Sequence, residues 1–203
     1  MIRYIFPIPI YEAKCDVDLV RIIEYLEKEP IHRLNNCKDF ESQFGQRSEE
    51  TYLLNKQIYG SLKSWIESQL KIYAVDNLGW NIDRISITQS WISIKHPGQG
   101  HQPHKHPNSV ISGVFYWQEG IESMYFRRPN DNSLFQIEKE DKSCLNEYEE
   151  YKPQKYSLVL FPSYLEHFVG TNHSNRSRYC LPFNSMVFGR IGNERTLNEL
   201  ILN

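Results

Sequence analysis

Hydrophobic and polar positions follow a helical period in the first part of the chain and a period of two beyond residue 82. Residues 18–29 and 53–79 each place apolar side chains every three or four positions, as in an amphipathic helix that packs on a core. Pro30 ends the first helix, because proline cannot continue the helical hydrogen-bond pattern. The pattern therefore predicts two helices ahead of the strand-rich region.

Beyond residue 82, apolar and β-branched residues alternate with polar ones, as they do in half-buried strands. The β-prone runs are ISITQSWISI (85–94), VISGVFYW (110–117), SLVLFP (157–162), HFVGT (167–171) and YCLPFNSMVFG (179–189). Helices followed by a series of short strands predict an α+β domain with a β-sandwich or jelly-roll core.

The remaining segments carry weaker patterns. Residues 2–11 are apolar but contain two prolines, which favours an edge strand or an extended arm. Residues 31–50 are polar and irregular, which is typical of a surface loop. Residues 127–156 are charged and longer than a loop in a compact domain, so we interpret them as a lid or as locally structured. Residues 195–203 predict a short C-terminal helix.

Composition narrows the class of protein. With 203 residues, 40% of them hydrophobic, the chain predicts one folded domain, since domains average about 150 residues. A net charge of −2 gives no whole-chain electrostatic reason to expect nucleic acid or an anionic membrane as partner. Four widely separated cysteines are typical of free thiols in a reducing compartment. Neither a membrane span nor a signal peptide is predicted, so we expect a soluble cytoplasmic protein.

Four of the seven histidines fall in one segment, HPGQGHQPHKHPNSV (96–110). On an extended strand, His104 and His106 point to the same face, because side-chain direction has a period of two. A third metal ligand has to come from elsewhere, and His167, which follows the strand at 157–162 and a Pro-Ser turn, is placed for it. Spacing alone leaves two interpretations open, a metal site and an exposed histidine-rich loop.

The other histidines are interpreted without a metal role. His96 and His101 flank a Pro-Gly pair and a further glycine, which favours turns. His32 and His173 have no histidine at ligand spacing.

Four motifs follow one another in residues 90–117 and 158–184: HKHPNS, SGVFYW, FPSYLEH and an arginine ahead of Phe-Asn. In this combination the sequence resembles the iron(II)/2-oxoglutarate-dependent oxygenases. More narrowly, it resembles the prolyl-4-hydroxylase-like branch that is common in bacteria and bacteriophages, which implies the cytoplasm of a bacterium or a phage-infected host. The resemblance implies Fe(II) and 2-oxoglutarate as cofactors, with ascorbate as an optional one.

The resemblance also implies an architecture. It is a double-stranded β-helix, or jelly-roll, core with N-terminal helices packed against it, in a single oxygenase domain over residues 1–203. Residues 1–80 form the helical support, residues 81–190 form the core, and residues 127–156 form an insertion in it.

The site residues follow from the same resemblance. It makes His104, His106 and His167 the metal ligands. Arg178 lies eleven residues after His167 and six before an asparagine, where the family places the basic residue that binds the far carboxylate of 2-oxoglutarate. Arg176 has the same strand parity and is the competing candidate.

Four further residues receive roles through the resemblance. Tyr116 in SGVFYW matches the tyrosine whose hydroxyl lies near the far carboxylate. Asn108, Ser109 and Asn184 are expected to contact the substrate or to orient the ligands from a second layer around the metal. The resemblance adds no catalytic protein side chain beyond these.

One position departs from the family pattern. The usual oxygenase site holds iron with two histidines and one carboxylate, but the motif here reads His-Lys-His. Either His104 and His106 are both ligands, or one histidine is a ligand and another group completes the set. His106 with Asn108 is such a pair, although a neutral amide replaces a carboxylate poorly.

The function implied is that of a 2-oxoglutarate-dependent dioxygenase, which couples oxidative decarboxylation of 2-oxoglutarate to hydroxylation of a peptidyl or small-molecule substrate. Two alternatives stay open: a cupin-like metal-binding protein without 2-oxoglutarate activity, and a catalytically inactive binding protein. Neither a membrane nor a nucleic acid is indicated as partner, and the oligomeric state is open.

Overall fold

The computed structural model describes residues 7–32, 46–120, 122–129 and 147–203. It is a mixed fold of mostly antiparallel strands with few helices. The strands are β1 Tyr11–Lys14, β2 Ile31–His32, β3 Gln46–Ser48, β4 Arg84–Ser90, β5 Ser93–Lys95, β6 His101–His104, β7 Ile111–Tyr116, β8 Met124–Arg127, β9 Tyr148–Tyr151, β10 Ser157–Pro162, β11 His167–Val169, β12 Arg178–Ile191 and β13 Leu200–Leu202. The helices are α1 Val20–Leu26 and α2 Gly60–Lys71, with 3₁₀ turns at Leu53–Asn55, Gln57–Tyr59 and Glu194–Thr196 and a π-helix at Ile72–Asn77.

These strands form two sheets. The first has the order β1-β10-β7-β12-β5-β3-β2, with β4 and β13 also pairing with β12. The second has the order β6-β11-β8-β9. Strands that are neighbours in space are mostly distant in sequence, so the site described below is assembled by sheet pairing rather than by local motifs.

The central strands β7 and β10 of the first sheet are buried on both faces. Side chains of successive residues in a strand point to opposite sides. Along β10, Leu158 and Leu160 join the core that contains the buried face of α2. Val159 and Phe161 point the other way, into a core between the two sheets. This inter-sheet core consists of Val114, Tyr116, Met124, Phe126, Tyr151, Val159, Phe161, Leu165 and Cys180.

The predicted helices are present but shorter and interrupted. The first spans Val20–Leu26 of the expected 18–29, with turns beyond it. The second is continuous only from Gly60 to Asn77, as α2 and the π-helix that follows it. Ahead of it, the backbone N–H of Leu54 donates to the Ser90 hydroxyl of β4 at 2.9 Å. This bond ties the 3₁₀ turns at Leu53–Asn55 to β4, ahead of the continuous helix.

Two strand predictions needed adjustment. The alternating run at 85–94 divides into β4 and β5, because the backbone N–H of Ile92 donates to the Ser48 hydroxyl at 3.0 Å instead of to a strand. The edge strand expected in 2–11 begins only at Tyr11, after both prolines, and it pairs with β10 at the edge of the first sheet. Residues 2–6 lie outside the described residues.

The surface loop expected over 31–50 contains the paired strands β2 and β3, and its middle, residues 33–45, lies outside the described residues. The expected lid at 127–156 contains β9, which pairs with β8. Its central part, residues 130–146, is likewise outside the described residues.

The predicted C-terminal helix is wrong. After one 3₁₀ turn, capped by the side chain of Asn193, Leu197 adopts a left-handed backbone with φ 57°. A right-handed helix requires negative φ at every residue, so the helix cannot continue through Leu197. The chain instead reverses, and β13 pairs with the end of β12. The described residues contain no helix that is long and apolar enough to cross a membrane.

Gly113 in β7 allows Phe183 and Leu160 to pack closely on the helix-facing side of the first sheet. A Cβ there would overlap the Phe183 ring and would lie 2.6 Å from Leu160 Cδ2 and 2.9 Å from the Val159 carbonyl oxygen. We therefore expect Gly113→Ala to lower the free energy of unfolding by about 1–3 kcal/mol, measured by urea denaturation. Gly60→Ala is the control, because a Cβ at Gly60 meets nothing within 4 Å. Equal stability of the two variants would contradict this account.

Candidate metal centre

Strand register brings two of the predicted histidines together. His104 ends β6 and His167 begins β11, and the two are direct partners in this antiparallel pair. Their ring centroids lie 4.3 Å apart. His106 follows β6 in the next loop, where its backbone N–H donates to the carbonyl oxygen of Ser163 at 3.0 Å. The expected extended strand therefore stops at His104, and a loop anchored to Ser163 directs His106 toward the same point.

The three side chains form a compact group. One ring nitrogen from each of His104, His106 and His167 lies within 4.8 Å of the others. The rings of His106 and His167 are nearly parallel, at 6°, with their Nε2 atoms 3.3 Å apart. In the part of the chain that the structure describes, this is the group of histidine, cysteine and carboxylate side chains that could hold a metal.

Hydrogen bonds orient all three rings in the same sense. Each Nδ1 contacts an oxygen that accepts a hydrogen bond: His104 contacts Gln102 O at 2.9 Å, His106 contacts Asn184 Oδ1 at 2.7 Å and His167 contacts Leu165 O at 3.0 Å. A neutral imidazole that donates from Nδ1 carries its lone pair on Nε2. The shell around the site therefore leaves three Nε2 lone pairs directed into the cluster.

The contact between His106 and His167 indicates what these lone pairs face. When both rings donate from Nδ1, their Nε2 lone pairs at 3.3 Å repel each other unless a metal ion or a proton lies between them. Imidazole nitrogens are good ligands for iron, zinc and copper. The donor set thus fits a transition-metal ion, and no carboxylate is among its members in the described residues.

Burial keeps these histidines in the ligand form. It lowers the pKa of His167 to about 3, with the neighbouring His104 adding to the effect. It lowers the pKa of His106 to about 4, again with a contribution from His104. The pKa of His104 is lowered by burial as well. At neutral pH the rings are uncharged, as metal binding requires.

A fourth imidazole lies beside the group. The His101 ring stacks on His104 with centroids 4.2 Å apart and planes 16° apart. Burial, followed by the charge of Lys95, lowers its pKa to about 2. The interpretation of His101 as a turn residue is wrong, since it begins β6. On a regular strand it would face away from His104, but a bulge between the pairs His104–His167 and His101–Val169 brings it to the same side.

Asn184 and Ser109 belong to one polar network behind His106. Asn184 Oδ1 accepts from the Ser112 hydroxyl at 3.3 Å as well as contacting His106. The Ser112 hydroxyl contacts that of Ser163 at 2.8 Å, and Ser163 donates to the Ser109 hydroxyl at 2.8 Å. The network joins the loop carrying His106 to β7 and β12, so the position of that ring depends on it.

Asn108 has a different environment. It is exposed and adopts a left-handed backbone with φ 57°, as asparagine tolerates in turns. The group of three histidines forms without Asn108, and the alternative ligand pair of His106 with Asn108 stays a prediction.

Arg178 and Tyr116 lie on the wall formed by β12 and β7. Arg178 is only 5% exposed, and its Nη1 donates to Glu122 Oε2 at 2.8 Å, while its buried Nε has no hydrogen-bond partner among the described residues. Arg176 is exposed. Tyr116 is buried in the inter-sheet core, and burial raises its pKa well above the usual value. Sequence reasoning missed Lys95, the buried partner of Arg178 across the sheet.

Comparison with known families agrees with this geometry. Residues 89–184 match the family model described as "Putative 2OG-Fe(II) oxygenase", a range that contains the three histidines of the group, Arg176 and Arg178. The resemblance to the iron(II)/2-oxoglutarate oxygenases is confirmed. No curated protein matches this oxygenase-like chain.

Several solved oxygenase structures share the fold. A prolyl-4-hydroxylase from Pseudomonas putida has TM-score 0.56 and 15% identity, covering 88% of this chain and 94% of its own. A prolyl hydroxylase from Trichoplax adhaerens, solved with a hypoxia inducible factor peptide, has TM-score 0.54 and 14% identity, covering 83% and 76%. The α-ketoglutarate-dependent epimerase SnoN of nogalamycin biosynthesis has TM-score 0.61 and 10% identity, covering 88% and 76%. At such identities the likeness establishes the oxygenase fold and no more.

We expect Asn184→Ala to weaken Co(II) binding by about 10- to 100-fold, because His106 loses the acceptor that orients its ring. Asn184→Asp keeps an acceptor at the same place and should bind within a few-fold of the unmodified protein. The measurement is competition with a chromophoric chelator, with the exposed Asn55→Ala as control. Equal affinities of the Ala and Asp variants would show that Asn184 does not act through His106.

The buried imidazoles also predict an acid-sensitive metal-free protein. His101, with a pKa of about 2, stays neutral in the folded protein, whereas in the unfolded chain it takes up a proton below about pH 6.5. Stability is therefore expected to fall between about pH 6.5 and pH 4.5, measured as the urea midpoint of the metal-free protein. His101→Gln should lessen this fall, and the exposed His173→Gln should not. An identical fall in both variants would contradict the prediction.

Proposed function

We propose that this chain is a non-haem Fe(II)/2-oxoglutarate-dependent dioxygenase that hydroxylates a peptidyl or small-molecule substrate. The observation that carries the proposal is the convergence of three imidazoles, with their ligand nitrogens within 4.8 Å and their Nδ1 atoms engaged elsewhere. The family match over residues 89–184 supports iron and 2-oxoglutarate as the cofactors of such a group, with ascorbate as an optional addition.

In this proposal His104, His106 and His167 hold Fe(II), and Arg178 with Tyr116 binds the far carboxylate of 2-oxoglutarate. The Nε of Arg178 is buried and has no hydrogen-bond partner among the described residues. This supports the proposal, because a ligand carboxylate could accept a hydrogen bond from that edge of the guanidinium. When bound, iron with 2-oxoglutarate supplies the oxidising chemistry of the family. The protein residues bind and orient these groups.

The apolar surroundings of His167 support a site that excludes water. The Phe161 ring lies 4.6 Å from the His167 ring in an edge-on contact, and Phe126 lies 6.2 Å away. Both phenylalanines belong to the inter-sheet core. Such walls strengthen electrostatic contacts inside the pocket and protect reactive species from solvent.

A ligand set of three neutral histidines has an electrostatic consequence. It balances less of the iron charge than two histidines and a carboxylate do, and it raises the reduction potential if nothing else compensates. We propose that His106 takes the place of the missing carboxylate, because Asn184 holds its Nδ1 and leaves Nε2 for the metal.

The architecture proposed with this function is the double-stranded β-helix. The two antiparallel sheets enclosing the inter-sheet core, with the helices on the far side of the first sheet, support it. We further propose that residues 1–203 form a single oxygenase domain that works in the cytoplasm.

The structural neighbours of this chain carry out different reactions. One structural neighbour is a prolyl hydroxylase solved with a peptide, and another is an epimerase, so a shared fold does not set the reaction. A peptidyl or small-molecule substrate is consistent with both.

One observation favours a second candidate, a cupin-like metal-binding protein without 2-oxoglutarate activity. The ion pair between Arg178 and Glu122 already gives the guanidinium a carboxylate partner at 2.8 Å. An inactive binding protein would show the same ion pair and bind neither cofactor productively. The leading proposal differs from both in requiring that Arg178 take up the carboxylate of 2-oxoglutarate.

Anaerobic addition of Fe(II) and 2-oxoglutarate should produce the weak metal-to-ligand charge-transfer absorption of a chelated 2-oxo acid. Arg178→Met should raise the 2-oxoglutarate concentration needed for this band by about tenfold or more, because a charge-assisted hydrogen bond to the ligand is lost. Slow succinate formation without added substrate is the second readout, and it separates an active enzyme from an inactive binding protein.

Arg176→Met is the matched control, since Arg176 is exposed and lies in the bend two residues ahead of Arg178. It should leave the titration unchanged. Fe(II) binding without a charge-transfer band in the unmodified protein would support the cupin-like alternative and sink the leading proposal.

A further inference from the structure

A buried lysine lies beside the proposed 2-oxoglutarate site. Lys95 ends β5 and is the direct partner of Arg178 in the antiparallel pair with β12. Opposite residues in such a pair project to the same face, with Cβ atoms about 4.5–5.5 Å apart. Lys95 is 2% exposed and Arg178 is 5% exposed. Two cationic side chains therefore share one buried wall.

Lys95 is electrostatically coupled both to Arg178 and to the histidine group. The pKa of Lys95 is lowered to about 8, mainly by burial, with Cys180 opposing this shift and the charge of Arg178 adding to it. The charge of Lys95 in turn lowers the pKa of both His101 and His104. Lys95 thus acts on groups at both ends of the pocket, the arginine end and the metal end.

The ion pair of Arg178 with Glu122 gives Lys95 a role as the second cation beside the proposed carboxylate site. Its carboxylate pairs with Arg178 at 2.8 Å, so the guanidinium charge is matched by the protein itself. A carboxylate that binds the remaining edge of Arg178 also meets the negative charge of Glu122. Burying an anion requires compensating charge and hydrogen bonds nearby. The ammonium group opposite Arg178 supplies that positive charge.

We infer that Lys95 is a second binding residue for the far carboxylate of the 2-oxo acid, acting together with Arg178. The inference rests on the proposed function, and it makes Lys95 a determinant of specificity for a dicarboxylate over a 2-oxo acid with an uncharged end. Arg178 fixes the position of the carboxylate through its planar fork, while Lys95 restores the charge balance that Glu122 alters.

The test compares two ligands on the Co(II)-loaded protein by titration calorimetry. They are 2-oxoglutarate and 2-oxovalerate, which has the same carbon chain but a methyl group in place of the far carboxylate. The unmodified protein should prefer 2-oxoglutarate, and Lys95→Met should reduce this preference by about tenfold or more through loss of a charged hydrogen bond. Because both ligands are measured on each variant, a general weakening of the pocket cancels in the ratio.

Three further variants sharpen the comparison. Lys95→Gln is a second neutral substitution, so that the result does not depend on how methionine packs. Lys95→Arg keeps the charge and should retain most of the preference. Lys71→Met removes an exposed charge from α2 and should leave the preference unchanged.

The outcomes separate this inference from the proposed function. Absence of 2-oxoglutarate binding in the Co(II)-loaded unmodified protein would overturn both. A strong preference in the unmodified protein that persists in Lys95→Met and Lys95→Gln would overturn only the role of Lys95. An equal loss of affinity for the two ligands would also overturn it, since Lys95 would then act at the metal end of the pocket.

Discussion

The pairing of β6 with β11 is the constraint on which the rest of the site depends. It places His104 opposite His167, and a bulge in the same pair brings the His101 ring onto His104. A shift of one residue in this register would turn the histidines to the other face of the sheet. The second sheet therefore acts as the support of the candidate metal centre, and its inner face, packed on the inter-sheet core, keeps that register in place.

Around this pair, hydrogen bonds to Nδ1 give each imidazole a defined role. Backbone carbonyl oxygens orient His104 and His167, so those two rings need no particular neighbouring side chain. His106 depends instead on Asn184 and the serine network behind it. This difference is consistent with His106 being the unusual member of the set, at the position where the oxygenase family has a carboxylate.

Charge is distributed unevenly around the candidate site. The histidine group is neutral, whereas the wall formed by β12 and β5 carries Arg178 and Lys95 with Glu122 beside Arg178. An anionic co-substrate that contacts both would bring negative charge to the metal and to the cations. The buried Nε of Arg178, which has no hydrogen-bond partner among the described residues, is costly to leave unpaired.

The sequence by itself determined the features that depend on local spacing: the strand runs of the core, the helix at α2, and a candidate site at His104, His106, His167 and Arg178. Period-two alternation and family motifs involve residues that are close together in the sequence, so the sequence alone is enough to recognise them. The C-terminal segment was misread, because pairing with β12 outweighed its helical pattern. Lys95, Glu122 and His101 were missed because their roles arise from partners far away in the chain. Only sheet register, a bulge and the burial of charge decided those contacts, and none of these is encoded in local spacing.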